Sequence, residues 1–424
     1  MIKPTRRRVL KGFAATAVLG AMSSCVSSGT GTTRVVVIGG GFAGLTAART
    51  LKALDPAIEV TLVEPKKQYI ACPFSNLVIA GERDIGSQTF SYNNAVEQGI
   101  IHLPLAAKMI DPISRQVLFE NHVALTYDRL ILAPGISLHY AALEGYSEQA
   151  AIKMPHAWQA GEQTLLLRRQ LESMPDGGLV TIVAPSNPYR CPPGPYERAS
   201  LIAHYLMRTK PKSKVLIMDS KDRFSKQSLF EAAWQSEYGE MIEWQGLSDG
   251  AQVVAVNSND MALVTDFETI KTSVANVIPP QRAGKIALDS GIADESGWCP
   301  VDALSFESTL APGVHVIGDA AILNAMPKSA FAANAQAKLC AVQVVRLLAG
   351  EAPLKTTLLN TCYSLVGPRY GISVAGAYRA EGVRWRGVDG AGGISDADAP
   401  TSTRQQEAGY ANGWFDRISH EVFG

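Results

Sequence analysis

The chain has 424 residues, of which 46% are hydrophobic and 18% charged, a composition typical of soluble proteins with ample core. Its 39 basic and 39 acidic residues balance, but the first 33 residues hold basic side chains and no acidic ones. The rest of the chain keeps 34 basic and 39 acidic residues, a net charge of about −5. Without a basic patch interleaved with aromatic residues, this composition excludes a nucleic-acid-binding protein.

The first residues predict an export signal. The run Thr5–Lys11 (TRRRVLK) closely matches the twin-arginine pattern, and a weakly apolar run, Phe13–Met22, follows it. That run is too short to span a bilayer, which needs roughly 20 apolar residues. We therefore predict that residues 1–32 are a twin-arginine signal and linker, cleaved near Cys25, and that the mature protein is periplasmic. The alternatives are lipidation of Cys25 and a merely basic tail.

The cysteine pattern argues against several common sites. No CxxC pair occurs, which argues against zinc, thioredoxin-like and haem-attachment motifs, and no metal site is predicted. The six cysteines are Cys25, Cys72, Cys191, Cys299, Cys340 and Cys362. A periplasm allows disulfides, but cleavage of the signal leaves an odd number of cysteines, so at least one stays unpaired.

The chain after residue 33 opens with a dinucleotide-binding motif. A short apolar strand runs into three glycines with the spacing G-x-G-x-x-G and then into an alanine-rich helix. Gly39 permits the tight turn, Gly41 lets the backbone approach a pyrophosphate, and Gly44 packs the helix against the strand. The helix N-terminus supplies free N–H groups for the phosphates. Glu64, 20 residues after Gly44, ends the next predicted strand, where an acid accepts hydrogen bonds from ribose hydroxyls.

Two later stretches favour FAD over NAD. The stretch Tyr127–Gly135 (YDRLILAPG) resembles the strand and turn with which two-dinucleotide-domain flavoproteins cross back over their FAD domain. The stretch Gly313–Ala320 (GVHVIGDA) resembles their second FAD motif, a strand ending in Gly-Asp. This resemblance implies that Gly135 belongs to the cofactor site and that Asp319 binds the ribityl chain.

Lys328 is a further candidate for the cofactor site. It lies at the start of a predicted helix, Ala325–Ala341, whose N-terminus would face the flavin pyrimidine ring. Its ammonium there would stabilise a reduced, anionic flavin. The alternative is an ordinary exposed lysine.

A second α/β unit, residues 149–278, departs from the nucleotide-binding pattern. Its predicted strands are Leu179–Ala184 and Lys214–Asp219, with a helix over 196–209 between them. In place of a glycine-rich turn, the loop after the first strand carries four prolines around Cys191. Each proline fixes φ and removes a backbone donor, so the loop holds a side chain well and a pyrophosphate poorly. NAD(P)H is therefore not expected to bind here, although a rigid surface loop with an incidental thiol would look the same.

Six stretches together match one family. They are Cys72–Asn76 (CPFSN), Arg190–Arg198 (RCPPGPYER), Ile278–Gly284 (IPPQRAG), Gly297–Asp302 (GWCPVD), Met326–Ser329 (MPKS) and Asn360–Ser364 (NTCYS). Over nearly the whole mature chain, the sequence resembles the flavoprotein subunit of flavocytochrome c sulfide dehydrogenase; sulfide:quinone oxidoreductases are more distant relatives. The resemblance implies a glutathione-reductase-like α/β fold, with two Rossmann-like dinucleotide-binding-type domains and a C-terminal α+β domain. The implied segments are 33–148 and 279–350 for the FAD domain, 149–278 for the second Rossmann-like domain and 351–424 for the C-terminal domain.

The same resemblance assigns the cysteines. In the family one cysteine bonds covalently to the 8α-methyl group of FAD, and Cys72, eight residues after the ribose-binding acid, occupies its place. A second pair forms a redox-active disulfide over the flavin and matches Cys191 and Cys362, with Cys362 nearer the flavin. Cys299 and Cys340 are then expected to be buried structural thiols.

The reaction implied by the resemblance is the oxidation of hydrosulfide to sulfur or polysulfide. Hydrosulfide attacks the disulfide, leaving a persulfide and a thiolate, and electrons pass to FAD and then to a c-type cytochrome subunit. That haem must belong to a heterodimer partner, because this chain has no CxxCH. Glu197, six residues after Cys191, either manages protons near the disulfide or merely complements a helix N-terminus. Trp414 either covers the flavin or substrate channel or packs in the core. The alternative functions are a quinone-reducing enzyme and a flavin-bearing accessory protein of a sulfur-oxidising multienzyme system.

Overall fold

The computed structural model describes residues 32–120 and 123–424. The predicted twin-arginine motif and Cys25 therefore lie outside the described residues. Thr33–Gly424 form one unit by their contacts, and its architecture is that of three main sheets with helices packed between and around them. The segment boundaries expected from the sequence stay predictions.

The first sheet is parallel throughout. In spatial order its strands are Val314–Val316, Arg129–Leu132, Arg34–Ile38, Glu59–Val63 and Ile101–Leu103. Their apolar residues are buried because helix Phe42–Leu54 packs on the sheet and against helix Ala330–Leu348. The carboxyl ends of parallel strands lie at one edge, so the segments that follow each strand meet there.

The second sheet has the same parallel construction. In spatial order its strands are Ile242–Gln245, Lys214–Asp219, Leu179–Ala184 and Val274–Val277. The two strands predicted from the sequence have the observed bounds. The helix between them covers Gly194–Thr209 and so begins earlier than predicted, since a proline is well suited to the first turn of a helix.

The third sheet is antiparallel and supports the last helix. Its strands are Thr357–Gly367, Tyr370–Glu381 and Arg384–Ile394, and helix Thr401–Phe423 packs against it. The end of this helix also contacts the short strands Gln68–Ile70 and Thr89–Ser91 and helix Phe42–Leu54. Phe423 stacks on Tyr69 and Phe90 with ring centroids 5.1 and 4.8 Å apart. Arg49 Nη1 donates a hydrogen bond of 3.0 Å to the carbonyl oxygen of Val422. The predicted α/β class with a C-terminal α+β part is confirmed.

The remaining elements are short and connect these layers. The strands are Gln68–Ile70, Thr89–Ser91, Ala107–Asp111, Gln116–Phe119, Ala124–Thr126, Ile136–Leu138, Ala255–Asn257, Ala262–Val264, Thr269–Lys271 and Gln281–Ala283. The α-helices are Ser75–Ala80, Asn93–Glu97, Glu162–Ser173, Gln227–Tyr238 and Lys285–Asp289. Single 3-10 turns cover Ile85–Gln88, Tyr140–Ala142, Ala150–Ile152, Leu247–Asp249 and Gly318–Ala320. Within the described ranges, no helix is both long and apolar enough to cross a membrane.

Candidate active site

The glycine turn after strand Arg34–Ile38 has the geometry of a phosphate cradle. Gly39 has a left-handed φ of 101°, and a Cβ there would lie 2.2 Å from the carbonyl oxygen of Ala133. A Cβ on Gly44 would lie 1.8 Å from the carbonyl oxygen of Gly39, so this glycine allows the helix to approach the strand. Gly41 precedes helix Phe42–Leu54, and no side chain caps the helix, which leaves backbone N–H groups free for an anion.

Glu64 lies beside this turn. Its Oε2 accepts a 2.9 Å hydrogen bond from the Gly40 N–H, and its Oε1 accepts a 3.0 Å bond from the Lys66 N–H. Each carboxylate oxygen retains a further lone pair. The arrangement suits an acid that accepts from ribose hydroxyls, as the sequence predicts.

One cavity of about 410 Å³ joins the glycine turn to the cysteines. Of the predicted site residues, those that line it are Gly39, Gly41, Glu64, Cys72, Gly135, Cys191, Glu197, Asp319 and Cys362. Trp414 also lines it and stacks with Phe331 at 6.3 Å between ring centroids, so this tryptophan forms part of the cavity wall. Gly44 packs behind the turn, and Lys328 is not among the lining residues.

The residues present fit an FAD molecule. The glycine turn offers free N–H groups, and an added Cβ on Gly135 would meet nothing within 4 Å, so backbone there is open to a ligand. The indole N–H of Trp158, which lines the cavity, is buried and has no partner among the described residues. Cys72 lies in the loop before helix Ser75–Ala80, and the Trp158 carbonyl oxygen is 3.9 Å from its Sγ.

Backbone contacts on both sides hold the loop that carries Cys191. Cys191 has a left-handed φ of 57°, and its N–H donates a 2.8 Å hydrogen bond to the carbonyl oxygen of Lys328. Its own carbonyl oxygen accepts a 2.8 Å bond from Gly194 at the start of the next helix. The Tyr189 hydroxyl donates to the Pro192 carbonyl oxygen at 2.7 Å. These hydrogen bonds hold the backbone of the loop on both sides of Cys191.

Cys191 and Cys362 approach each other from distant parts of the chain. Cys362 lies on strand Thr357–Gly367, and both cysteines are free thiols in this structure. Burial raises the pKa of Cys191, and the negative charge of a Cys362 thiolate raises it further. Burial also raises the pKa of Cys362, while the Lys226 ammonium lowers it. Both cysteines line the same cavity.

Glu197 lies in the first turn of helix Gly194–Thr209, facing the cavity. Its Oε1 accepts from the Leu365 N–H and its Oε2 from the Asn76 side-chain amide, both at 2.8 Å. Burial raises its pKa above the ordinary glutamate value, although these hydrogen bonds oppose the shift. A carboxyl group that keeps its proton to higher pH beside two thiols suits proton transfer.

Arg190 and Arg198 are cations in the cavity wall that the sequence did not assign, and Arg198 is 2% exposed. Burial lowers the pKa of Arg190, but the charges of Cys72 and Asp319 outweigh this effect and the pKa is raised. Arg198 donates 2.9 and 2.8 Å bonds to the side-chain carbonyls of Asn76 and Asn276. Both lie next to the cysteine loop in sequence, and this position is the feature by which the sequence could have identified them.

Backbone carbonyls bind the ammonium of Lys328, and its role at the flavin stays a prediction. Helix Ala330–Leu348 begins after this residue, and its ammonium donates to the carbonyl oxygens of Asp319 and Ala321 at 2.6 and 2.9 Å. The same ammonium lies 3.9 Å from the ring centroid of Trp298, and burial lowers its pKa to about 8. Two backbone carbonyls and an indole face hold this ammonium, and the residue is not among those that line the cavity. Cys299 and Cys340 are buried thiols, as predicted.

Comparisons with known proteins agree with this geometry. The family model for pyridine nucleotide-disulphide oxidoreductases matches residues 33–170. The model described as sulfide dehydrogenase (flavocytochrome c) flavoprotein chain, central, matches residues 164–279. The model for the flavin-binding part of flavocytochrome c sulphide dehydrogenase matches residues 355–423.

Individual relatives include both branches named by the sequence resemblance. The flavoprotein chain of the flavocytochrome c sulfide dehydrogenase of Chlorobaculum thiosulfatiphilum is 62% identical over 48 residues, which are 100% of that sequence and 11% of this chain. The mitochondrial sulfide:quinone oxidoreductase of Mus musculus is 24% identical over 76% of this chain and 72% of its own length. The solved sulfide:quinone oxidoreductase of Aquifex aeolicus has the same fold, with a TM-score of 0.70 at 15% identity, covering 92% of each chain.

The fold and the cavity define a flavoprotein oxidoreductase of the pyridine nucleotide-disulfide class, with FAD as its cofactor. Within that class the chain belongs to the flavoprotein family of flavocytochrome c sulfide dehydrogenase. It is a sulfide-oxidising oxidoreductase.

Proposed function

We propose that this chain oxidises hydrosulfide at a Cys191–Cys362 disulfide, beside FAD attached covalently through Cys72, and delivers the electrons to a c-type cytochrome subunit. The observation that carries the proposal is one cavity that is lined by both sulfurs, by Glu197 and by the glycine turn. A matching family model covers the segment that contains each cysteine of the pair.

The chemistry begins at the oxidised pair. The sulfur of hydrosulfide attacks Cys191 Sγ and forms a new S–S bond, while the Cys191–Cys362 bond breaks and leaves its electron pair on Cys362 Sγ. Glu197, whose pKa burial raises, accepts or returns the proton of the sulfur species. A second hydrosulfide then attacks the outer sulfur of the Cys191 persulfide, which releases a two-sulfur polysulfide and leaves an electron pair on Cys191 Sγ. The two thiolates re-form the Cys191–Cys362 bond, and the two electrons that this step releases are those a bound FAD would accept.

The second sheet supports the expectation that NAD(P)H takes no part. Asp219 ends strand Lys214–Asp219, the place equivalent to that of Glu64 in the first sheet. Asp219 is fully buried, and Lys221, Tyr196 and Trp244 contact its carboxylate. Side chains of the protein therefore already bind the Asp219 carboxylate, which would otherwise accept hydrogen bonds from a ribose. Together with the proline loop, this contact set disfavours a nicotinamide nucleotide.

Anaerobic titration with sulfide tests the disulfide. We expect sulfide to bleach the flavin absorbance of the wild type and to leave that of Cys191→Ser and Cys362→Ser unchanged. Cys340→Ala, which removes a buried thiol away from the cavity, is the matched control and should bleach normally. Full bleaching in both serine variants would refute the assigned pair, and slow, partial bleaching of the wild type would favour the accessory-protein alternative.

Acid precipitation tests the covalent bond. The wild-type flavin should stay with the precipitated protein, and Cys72→Ala should release it, because the 8α-thioether is lost. Release of all flavin from the wild type would contradict the bond. The electron acceptor is then identified by adding either oxidised cytochrome c or a soluble quinone to sulfide-reduced protein. Reoxidation by the quinone alone would favour the quinone-reducing alternative, which the mitochondrial relatives support.

A further inference from the structure

Lys226 is a buried cation placed at considerable cost. It is 5% exposed and immediately precedes helix Gln227–Tyr238. Its φ of 64° lies in the left-handed region, which a residue with a Cβ adopts only under strain. A buried ammonium also loses its hydration. Two unfavourable terms at one residue call for a compensating interaction.

The contacts of Lys226 point to the strand that carries Cys362. Its Nζ donates a 2.9 Å hydrogen bond to the carbonyl oxygen of Cys362 and a 2.8 Å bond to the Ser364 hydroxyl. Both acceptors are neutral, so neither balances the charge. These two bonds fix the ammonium against the backbone of the cysteine itself, 136 residues away in sequence.

We propose that Lys226 is a positioning residue whose ammonium supplies the counter-charge for the Cys362 sulfur. The proposal rests on the proposed function, in which attack of hydrosulfide on Cys191 leaves an electron pair on that sulfur. The cost of burying Lys226 is then offset when its neighbour becomes a thiolate. A thiolate stabilised in this way is also a better leaving group in the attack on the disulfide.

Other charged groups face the same sulfur from several elements. Glu197 faces it from helix Gly194–Thr209 and Cys191 from the proline loop, and Tyr378 faces it from the neighbouring strand. Besides the two cysteines, Glu197 and Glu407, the latter on the last helix, favour the charged form of Lys226. Burial raises the pKa of the Cys362 thiol and Glu197 raises it further, whereas Lys226 lowers it. Lys226 is thus the cation that opposes both effects.

The test measures the reactivity of Cys362 directly, in the flavin-loaded full chain with Cys191→Ser, so that no disulfide can form. The rate of alkylation by iodoacetamide is followed against pH, and the modified peptide is identified by mass spectrometry. Because only the thiolate reacts, the profile reports the pKa of Cys362. Lys226→Met should slow alkylation about tenfold or more at pH 8, as expected when an opposite charge is removed from beside a thiol. Lys226→Arg should restore most of the rate.

A matched control and a second variant keep the result decisive. Lys285→Met removes an exposed lysine and should leave the profile unchanged. If Lys226→Met does not fold, Ser364→Ala removes one hydrogen bond from the ammonium and should slow alkylation about twofold to threefold. An unchanged profile in a folded Lys226→Met or in Ser364→Ala overturns the proposal. Because this readout needs no sulfide, a failure of sulfide to bleach the flavin would instead overturn the proposed function.

Discussion

Replacing Asp219 with asparagine should destabilise the protein strongly, because it removes the charge that compensates a buried lysine. The carboxylate is fully buried, and the Lys221 side chain, 11% exposed, approaches it at 2.5 Å. Trp244 Nε1 donates to the same carboxylate at 3.1 Å. Removing one partner of a buried pair typically costs about 3–5 kcal/mol, since the other charge stays buried and unpaired.

A surface pair of equal length provides the matched control. Lys285 and Asp289 also approach to 2.5 Å, but the lysine side chain is 78% exposed. Water screens such a pair, so Asp289→Asn should cost less than about 1 kcal/mol. Urea unfolding, followed by tryptophan fluorescence, gives both free energies. Adding Lys221→Met to Asp219→Asn should recover about 2 kcal/mol or more, because the unpaired charge is removed as well. Equal costs for the two asparagine variants would refute the reasoning.

Three further predictions concern acid stability, packing and export. Burial lowers the pKa of His156 to about 3, below its unfolded value of about 6.5, so the unfolded state binds more protons. The free energy of unfolding should then fall by about 1.4 kcal/mol per pH unit as the pH drops from about 6.5 towards 3. Urea unfolding of the wild type should show this fall, and His156→Asn should lack this contribution. Gly44→Ala should abolish flavin binding through a backbone clash, whereas Gly413→Ala, with open space around it, should leave the flavin absorbance unchanged. Arg6→Lys with Arg7→Lys should retain the protein in the cytoplasm, as fractionation would show; periplasmic protein would contradict the predicted signal.

Residues whose roles follow from their place on a strand could be predicted from the sequence. Gly39, Gly44 and Glu64 follow buried strands at fixed spacings, and the parallel sheet then places them at one edge. The part of the cavity that these residues form therefore follows from local sequence patterns. The part that holds the cysteines does not, because the third sheet brings Cys362 to the cavity from a distant part of the chain. From the sequence, Cys191 and Cys362 were identified only through a family resemblance.

The contacts of two lysines show where sequence reasoning stops. Lys328 and Lys226 both precede helices, and nothing in the local pattern shows which carbonyls each ammonium reaches. The acceptors for Lys226 lie 136 and 138 residues further along the chain. Such contacts depend on how the layers pack, so helix position alone could not show them.

The contact of the last helix with Tyr69, in the first part of the chain, sets the order in which the protein can mature. Phe423 stacks on Tyr69, and Tyr69 itself lines the cavity, as does Trp414. The wall of the cavity is therefore complete only after the ribosome has added residue 423, although the glycine turn near residue 40 was made first. A cofactor that needs the finished wall must be loaded after translation of this helix. An export route that carries folded proteins would accommodate that schedule, whereas threading an unfolded chain would undo it.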